Sequence, residues 1–267
     1  MIIINRYENK DIRSVLFDFD GTISLIRQGW QNVMIPYFAE VLTKTPKGGT
    51  YEEEYRCARE FVELTTGKQT IYQCMQLNDE VVKRGGESVD PYQYKEEYNR
   101  RLMLHIRHRR EALQKGEADA DQMMVPGARR LLEHLTERKI ILYLASGTDH
   151  EYVLEEASLL KVDSYFKGNI FGAKRDPRLN SKAGVIRSIL QDHGLSGSSI
   201  ACFGDGYVEI ENVKEVGGIA IGIAGYEENP CTGWDEWKKN RLTKAGADAL
   251  VKDLTDIDSV LEYLFGG

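Results

Sequence analysis

The chain has 267 residues, 42% hydrophobic and 29% charged, with a formal net charge of −7. That balance supports a large folded core, excludes a disordered chain and argues against a nucleic-acid surface, which needs clustered basic residues. Cys57, Cys74, Cys202 and Cys231 are widely spaced without a C-x-x-C pair, and no apolar run approaches the roughly 20 residues of a membrane helix. Neither a zinc site, a disulfide framework nor a membrane partner is expected, and the thiols read as those of a cytoplasmic protein.

From the N-terminus, Ser14 to Phe17 is a short β-rich run that opens into the polar loop Asp18-Phe19-Asp20-Gly21-Thr22. Arg27, Gln28 and Trp30 follow closely enough to reach the end of that strand, although a tryptophan there is equally suited to packing. Residues 24–124 read as a helical insert of domain-like length. Within it Tyr55, Ala58 and Val62 share a helix face, and Thr70 is placed to cap a helix that Gly85-Gly86 ends. Asp90-Pro91 opens a long helix through Tyr94, Tyr98 and Leu102. The basic run Arg100, Arg101, Arg107, Arg109 and Arg110, with His105 and His108, could meet an anionic substrate; pairing with acids or solvent is the favoured reading.

Pro126-Gly127 marks the return to a strand-and-helix alternation. Ala128 to Glu137 is amphipathic through Leu131, Leu132 and Leu135. Ile140 to Ala145 is a strand that stops at Ser146-Gly147-Thr148, and Glu151 to Leu160 a helix. Lys182 to His193 is a second amphipathic helix, with Val185, Ile186, Ile189 and Leu190 on one face. Ser199 to Phe203 is a strand stopping at Gly204-Asp205-Gly206, followed by a strand over Gly218 to Ile223. Such alternation predicts an α/β fold with a Rossmann-like parallel sheet, whose ligand site lies beyond the carboxyl ends of the strands, where each polar cluster falls. Trp234 and Trp237 sit in a late insertion with no functional reading.

Two carboxylates two residues apart at a strand end suit phosphoryl transfer, Asp18 as nucleophile and Asp20 as general acid, then base. A carboxylate attacking a phosphate dianion needs a cation between them; Asp18, Asp205 and Glu209 supply hard oxygen ligands of the kind Mg2+ prefers.

D-F-D-G-T, the serine after the second strand, a downstream lysine and G-D-x-x-x-E occur in the order of the four motifs of the haloacid dehalogenase superfamily, which the chain resembles from about Arg13 onward. Within it the chain resembles the phosphoglycolate phosphatases and β-phosphoglucomutases. The resemblance implies a Rossmann-like core over residues 1–23 and 125–267 and a helical C1 cap over 24–124, the cap setting specificity. It assigns the nucleophile to Asp18, the acid/base to Asp20 and the neutralising cation to Lys182, with Lys174 as the alternative lysine. By the same resemblance phosphate would be bound by Thr22, Ser146, Gly147 and Lys182, and Mg2+ by Asp18, the Asp20 carbonyl, Asp205 and Glu209, the last directly or through a water.

The expected function is Mg2+-dependent hydrolysis of a small phosphorylated metabolite, a sugar phosphate being favoured, through an aspartyl phosphate. An aspartate at position 20 favours this over a pump, which has threonine there, or a dehalogenase. A β-phosphoglucomutase-like phosphomutase is the alternative, and a catalytically silent binding module is disfavoured. The sequence leaves the oligomeric state open.

Overall fold

The computed structural model describes residues 1–7, 11–176, 179, 181–192, 194, 196–228 and 232–266. Asn180, His193 and Cys231 lie outside the described residues. The chain forms two compact units, Met1–Gln28 with Arg109–Gly267, and Gly29–His108.

Among the described residues the larger unit is built on a seven-stranded sheet: β1 (Ile2–Ile3), β2 (Ser14–Phe17), β3 (Ile141–Asp149), β4 (Ile170–Ala173), β5 (Ile200–Gly204), β6 (Ile219–Ile223) and β7 (Ala249–Val251). Their order is β1-β7-β6-β5-β2-β3-β4, with β1 antiparallel and the others parallel. β2, β5 and β6 are buried along their whole length, because a parallel strand covered on both faces has no polar side to show. The chain leaves β2 toward β3 and β4 on one side and later fills β5, β6 and β7 on the other, so β2 lies at the topological switch point. Phe17 is level with Leu144 on β3 and Phe203 on β5, and its ring stacks on Phe203 at 5.0 Å. That register brings Asp18, the Ser146–Asp149 end of β3 and the turn after β5 to one end of the sheet.

Gly29–His108 holds α1 (Gln31–Thr43), α2 (Tyr51–Thr65), α3 (Thr70–Lys83) and most of α4 (Pro91–Gln114). α1 lies within the insert expected to be helical and forms even though Pro36 stands inside it, where proline removes a helical hydrogen bond. Burial of Met34, Ile35, Phe38 and Leu42 on one face overrides that cost. α2 opens with a capping box between Thr50 and Glu53. Thr70 does not cap α3 as expected; it is the first helical residue, and Gln69 precedes it without a side-chain cap. Asp90 accepts from the Tyr92 amide at 3.1 Å and starts α4. The basic run is largely paired: Arg100 and Arg101 bind Glu97, and Arg101 also binds Glu40 at 2.8 Å and lies over Tyr37.

The flanks of the expected cap, residues 24–28 and 109–124, belong to the larger unit. They pair with each other: Leu25 N–H donates to Met123 O at 2.8 Å, and Ser24 bridges Met124. Arg109 donates to the carbonyls of Ile26 and Gln28 at 3.0 and 2.7 Å, and Arg110 pairs with Glu155.

The remaining helices of the larger unit are α5 (Ala128–Glu137), α6 (His150–Leu159), α7 (Asp163–Phe166), α8 (Lys182–Asp192), α9 (Tyr207–Glu215), α10 (Glu236–Lys244) and α11 (Ile257–Phe265). Among the described residues no helix is long and apolar enough to cross a membrane.

Candidate active site

Asp18 is the first residue beyond β2. Its N–H donates to Phe203 O at 2.9 Å, which fixes the backbone, and its Oδ1 accepts the Phe19 amide at 2.8 Å. Oδ2 lies 2.9 Å from Lys182 Nζ. Lys182 is the first residue of α8, where Ser181 caps the helix by accepting the Gly184 amide. The buried ammonium bridges Asp18 and Glu209, the latter at 2.7 Å. Lys174, the alternative lysine, is exposed.

Glu209 stands in the first turn of α9 with its other oxygen accepting the Gly206 amide at 2.7 Å. Asp18, Asp205 and Glu209 each present a carboxylate oxygen, and the three atoms lie within 4.8 Å of one another. Burial drives the Asp18 carboxyl well above the usual carboxylate range; Lys182 opposes this, and Glu209 and Asp205 add to it. Burial works against the Lys182 ammonium, but Asp18 and Glu209 outweigh it and its pKa is raised. Three hard oxygen donors converging without histidine or cysteine fit Mg2+.

Two charged residues at this cluster escaped the sequence reading. Lys238 Nζ lies 2.6 Å from Asp205 Oδ2 and 2.9 Å from Glu227 Oε1. Both belong to the late insertion after β6, at the same sheet edge as the motif loops. That placement is the signal which could have found them.

Asp20 makes its own set of polar contacts. Its Oδ2 accepts from Thr148 Oγ1 at 2.8 Å and Ser146 Oγ at 3.4 Å. Ser146, Gly147 and Thr148 do not follow β3 as a loop, as expected, but continue it to Asp149 through an irregularity in its pairing with β4. Arg27 reaches to within 3.9 Å of Asp20 Oδ1 while gripping the fully buried Glu156 through Nε and Nη2, at 2.9 and 2.8 Å. Its guanidinium also lies over the Tyr152 ring. Burial raises Asp20 to a pKa of about 6, against the pull of Arg27. Gln28 donates to the Glu227 carbonyl at 2.9 Å. The Thr22 hydroxyl is enclosed without a hydrogen-bond partner among the described residues. One end of the sheet thus holds a lysine-bridged carboxylate cluster and a carboxyl whose pKa is raised to about 6.

A protein-family model described as haloacid dehalogenase-like hydrolase matches residues 12–217. A predicted phosphoglycolate phosphatase from Haemophilus somnus 129PT is similar in structure, at a TM-score of 0.61 and 16% identity over 95% of this chain and 99% of that one. A predicted phosphatase from Clostridium acetobutylicum gives 0.63 and 17% over 94% and 99%. A β-phosphoglucomutase from Clostridium difficile gives 0.60 and 14% over 95% and 97%. These likenesses bear on the fold; the comparison with curated proteins gives no match. With the family model spanning most of the length, and with the motif residues gathered at one edge of the sheet, the chain belongs to the haloacid dehalogenase-like hydrolases.

Proposed function

We propose that this chain is a cytoplasmic, Mg2+-dependent phosphomonoester hydrolase acting on a small phosphorylated metabolite, with sugar phosphates as the first class to test. The observation that carries the proposal is the division of carboxylates. Lys182 bridges Asp18 and Glu209, with Asp205 beside them and paired to Lys238, while Asp20, two residues on, is held by Thr148 and Arg27. Asp18 attacks phosphorus and the bond to the leaving oxygen breaks as Asp20 donates its proton to that oxygen. Asp20, now ionised, takes a proton from water, whose oxygen attacks the aspartyl phosphate and returns Asp18 and inorganic phosphate. Lys182 neutralises the nucleophile and the phosphoryl oxygens, with Ser146, the Gly147 amide and Thr22 binding the rest of the group. Mg2+, held by Asp18, the Asp20 carbonyl, Asp205 and Glu209, would screen the charge between nucleophile and phosphate. The β-phosphoglucomutase neighbour keeps a phosphomutase as the second reading.

The test is a panel of phosphorylated sugars, nucleotides and amino acids with purified protein. Inorganic phosphate should be released without a bisphosphate activator, stop on chelation, and return with Mg2+ but less well with Ca2+. Full activity after exhaustive chelation would contradict the proposal, and strict dependence on a sugar bisphosphate would favour the mutase.

Gly21 offers a separate check. Its φ is +73°, and a Cβ there would stand 2.3 Å from Asp205 Oδ2. Gly21→Ala should lower stability by about 1–3 kcal/mol in urea unfolding and, by displacing Asp205, cut kcat at least about tenfold. Unchanged turnover would show that Asp205 tolerates displacement.

A further inference from the structure

Lys238 is a built feature of the larger unit. Asp235 caps α10 by accepting the amides of Trp237 and Lys238 at 3.0 and 3.1 Å, and its own amide donates to Ala224 O at the end of β6. The lysine backbone is therefore fixed, and its side chain is only 9% exposed. At its tip the ammonium divides itself between Asp205 and Glu227.

We propose that Lys238 is an internal competitor for the divalent cation, resting on the reading of Asp18, Asp205 and Glu209 as the cation's ligands. Of those three carboxylates, two are bound by Lys182 and the third by Lys238, which leaves the five groups with one net negative charge. An incoming cation meets a like charge on Asp205, and one oxygen of Asp205 already engaged. Glu227 gives the ammonium somewhere to go: Lys238 can leave Asp205 for the cation and keep a carboxylate partner. The device keeps the carboxylates compensated when no metal is bound, at the expense of affinity when it is. Lys238 touches neither phosphate nor water in this scheme and is not a catalytic residue.

The opposite role, in which Lys238 merely holds Asp205 in place for the metal, predicts the opposite sign. Removing the lysine would then loosen Asp205 and weaken cation binding.

Mn2+ binding to the full chain without substrate, followed by the electron paramagnetic resonance of free Mn2+, separates the two. Lys238→Met, checked for folding by circular dichroism, should bind Mn2+ at least about tenfold tighter than wild type, and Lys238→Arg should stay within about threefold, since the charge is kept. Unchanged or weaker binding by folded Lys238→Met overturns the proposal, as does tightening by Lys238→Arg. If neither wild type nor Lys238→Met binds Mn2+ at millimolar concentration, the cation-site reading falls with it. Should Lys238→Met not fold, wild-type protein labelled with 15N-lysine supplies the answer. Saturating Mg2+ should move the ammonium signal that is missing in Lys238→Arg, and a signal unmoved while Mn2+ binding is intact refutes competition.

Discussion

Asp18→Asn should abolish phosphate release, by at least about a thousandfold in kcat, while leaving a folded protein. An amide oxygen is a far weaker nucleophile toward phosphorus than a carboxylate, and it offers a cation a weaker ligand. The fold should tolerate the change because the Asp18 charge is itself unfavourable: burial raises its pKa well above the ordinary range. Lys182 would lose one partner but keep Glu209 at 2.7 Å, so the substitution leaves no buried ammonium alone. Steady-state phosphate release and a thermal melt on the same preparation test both halves. Wild-type enzyme quenched in acid during turnover should carry one phosphoryl group on the peptide containing Asp18, and Asp18→Asn none. Retention of more than about 1% of wild-type activity would refute the covalent route.

Much of the fold was legible because its signals are local. The apolar runs of β2, β5 and β6 are fully buried strands, and α5 spans Ala128–Glu137 as its leucine spacing implies. The polar residues at the carboxyl ends of β2, β3 and β5 converge because the strands are parallel and in register, a consequence of topology that the alternating pattern already carries. What the pattern does not carry is which distant charges meet. Glu156 stands in α6 beside Glu155, where a surface glutamate would be expected, yet it is fully buried because Arg27 arrives from 129 residues earlier in the chain. Lys238 and Asp205 are 33 residues apart and meet in the folded chain. In α1 a strong local signal against a helix, Pro36, is overridden by burial.

Asp20→Asn should separate proton transfer from nucleophilic attack, and its effect on stability should depend on pH. In the folded chain the Asp20 carboxyl titrates at about 6, against 3.8 for an ordinary aspartate, chiefly because it is buried. The raised value means that folding favours the protonated form. Below the unfolded value both states are protonated and there is no penalty. As pH rises from about 4 to about 6 the unfolded chain loses the proton first, and the native state loses stability, by about 1–3 kcal/mol for a side chain still 26% exposed. Asp20→Asn lacks this penalty. Its melting temperature should therefore match wild type near pH 4 and exceed it increasingly up to about pH 7, and a gap that ignores pH would show that Asp20 does not titrate in this window. The kinetic half follows from the same proton. For a sugar phosphate the leaving alkoxide needs it, so kcat/KM in wild type should fall as pH rises past about 6, and the variant should lose about a hundredfold or more. For an activated aryl phosphate, whose leaving group is stable without a proton, kcat/KM reports only formation of the aspartyl phosphate and should drop less than about tenfold. Its kcat should still collapse, since hydrolysis of the intermediate needs Asp20 as base, and the phosphorylated protein should accumulate. Equal losses in kcat/KM on both substrates would remove Asp20 from the acid role and leave it as a residue that shapes the site through Thr148 and Arg27.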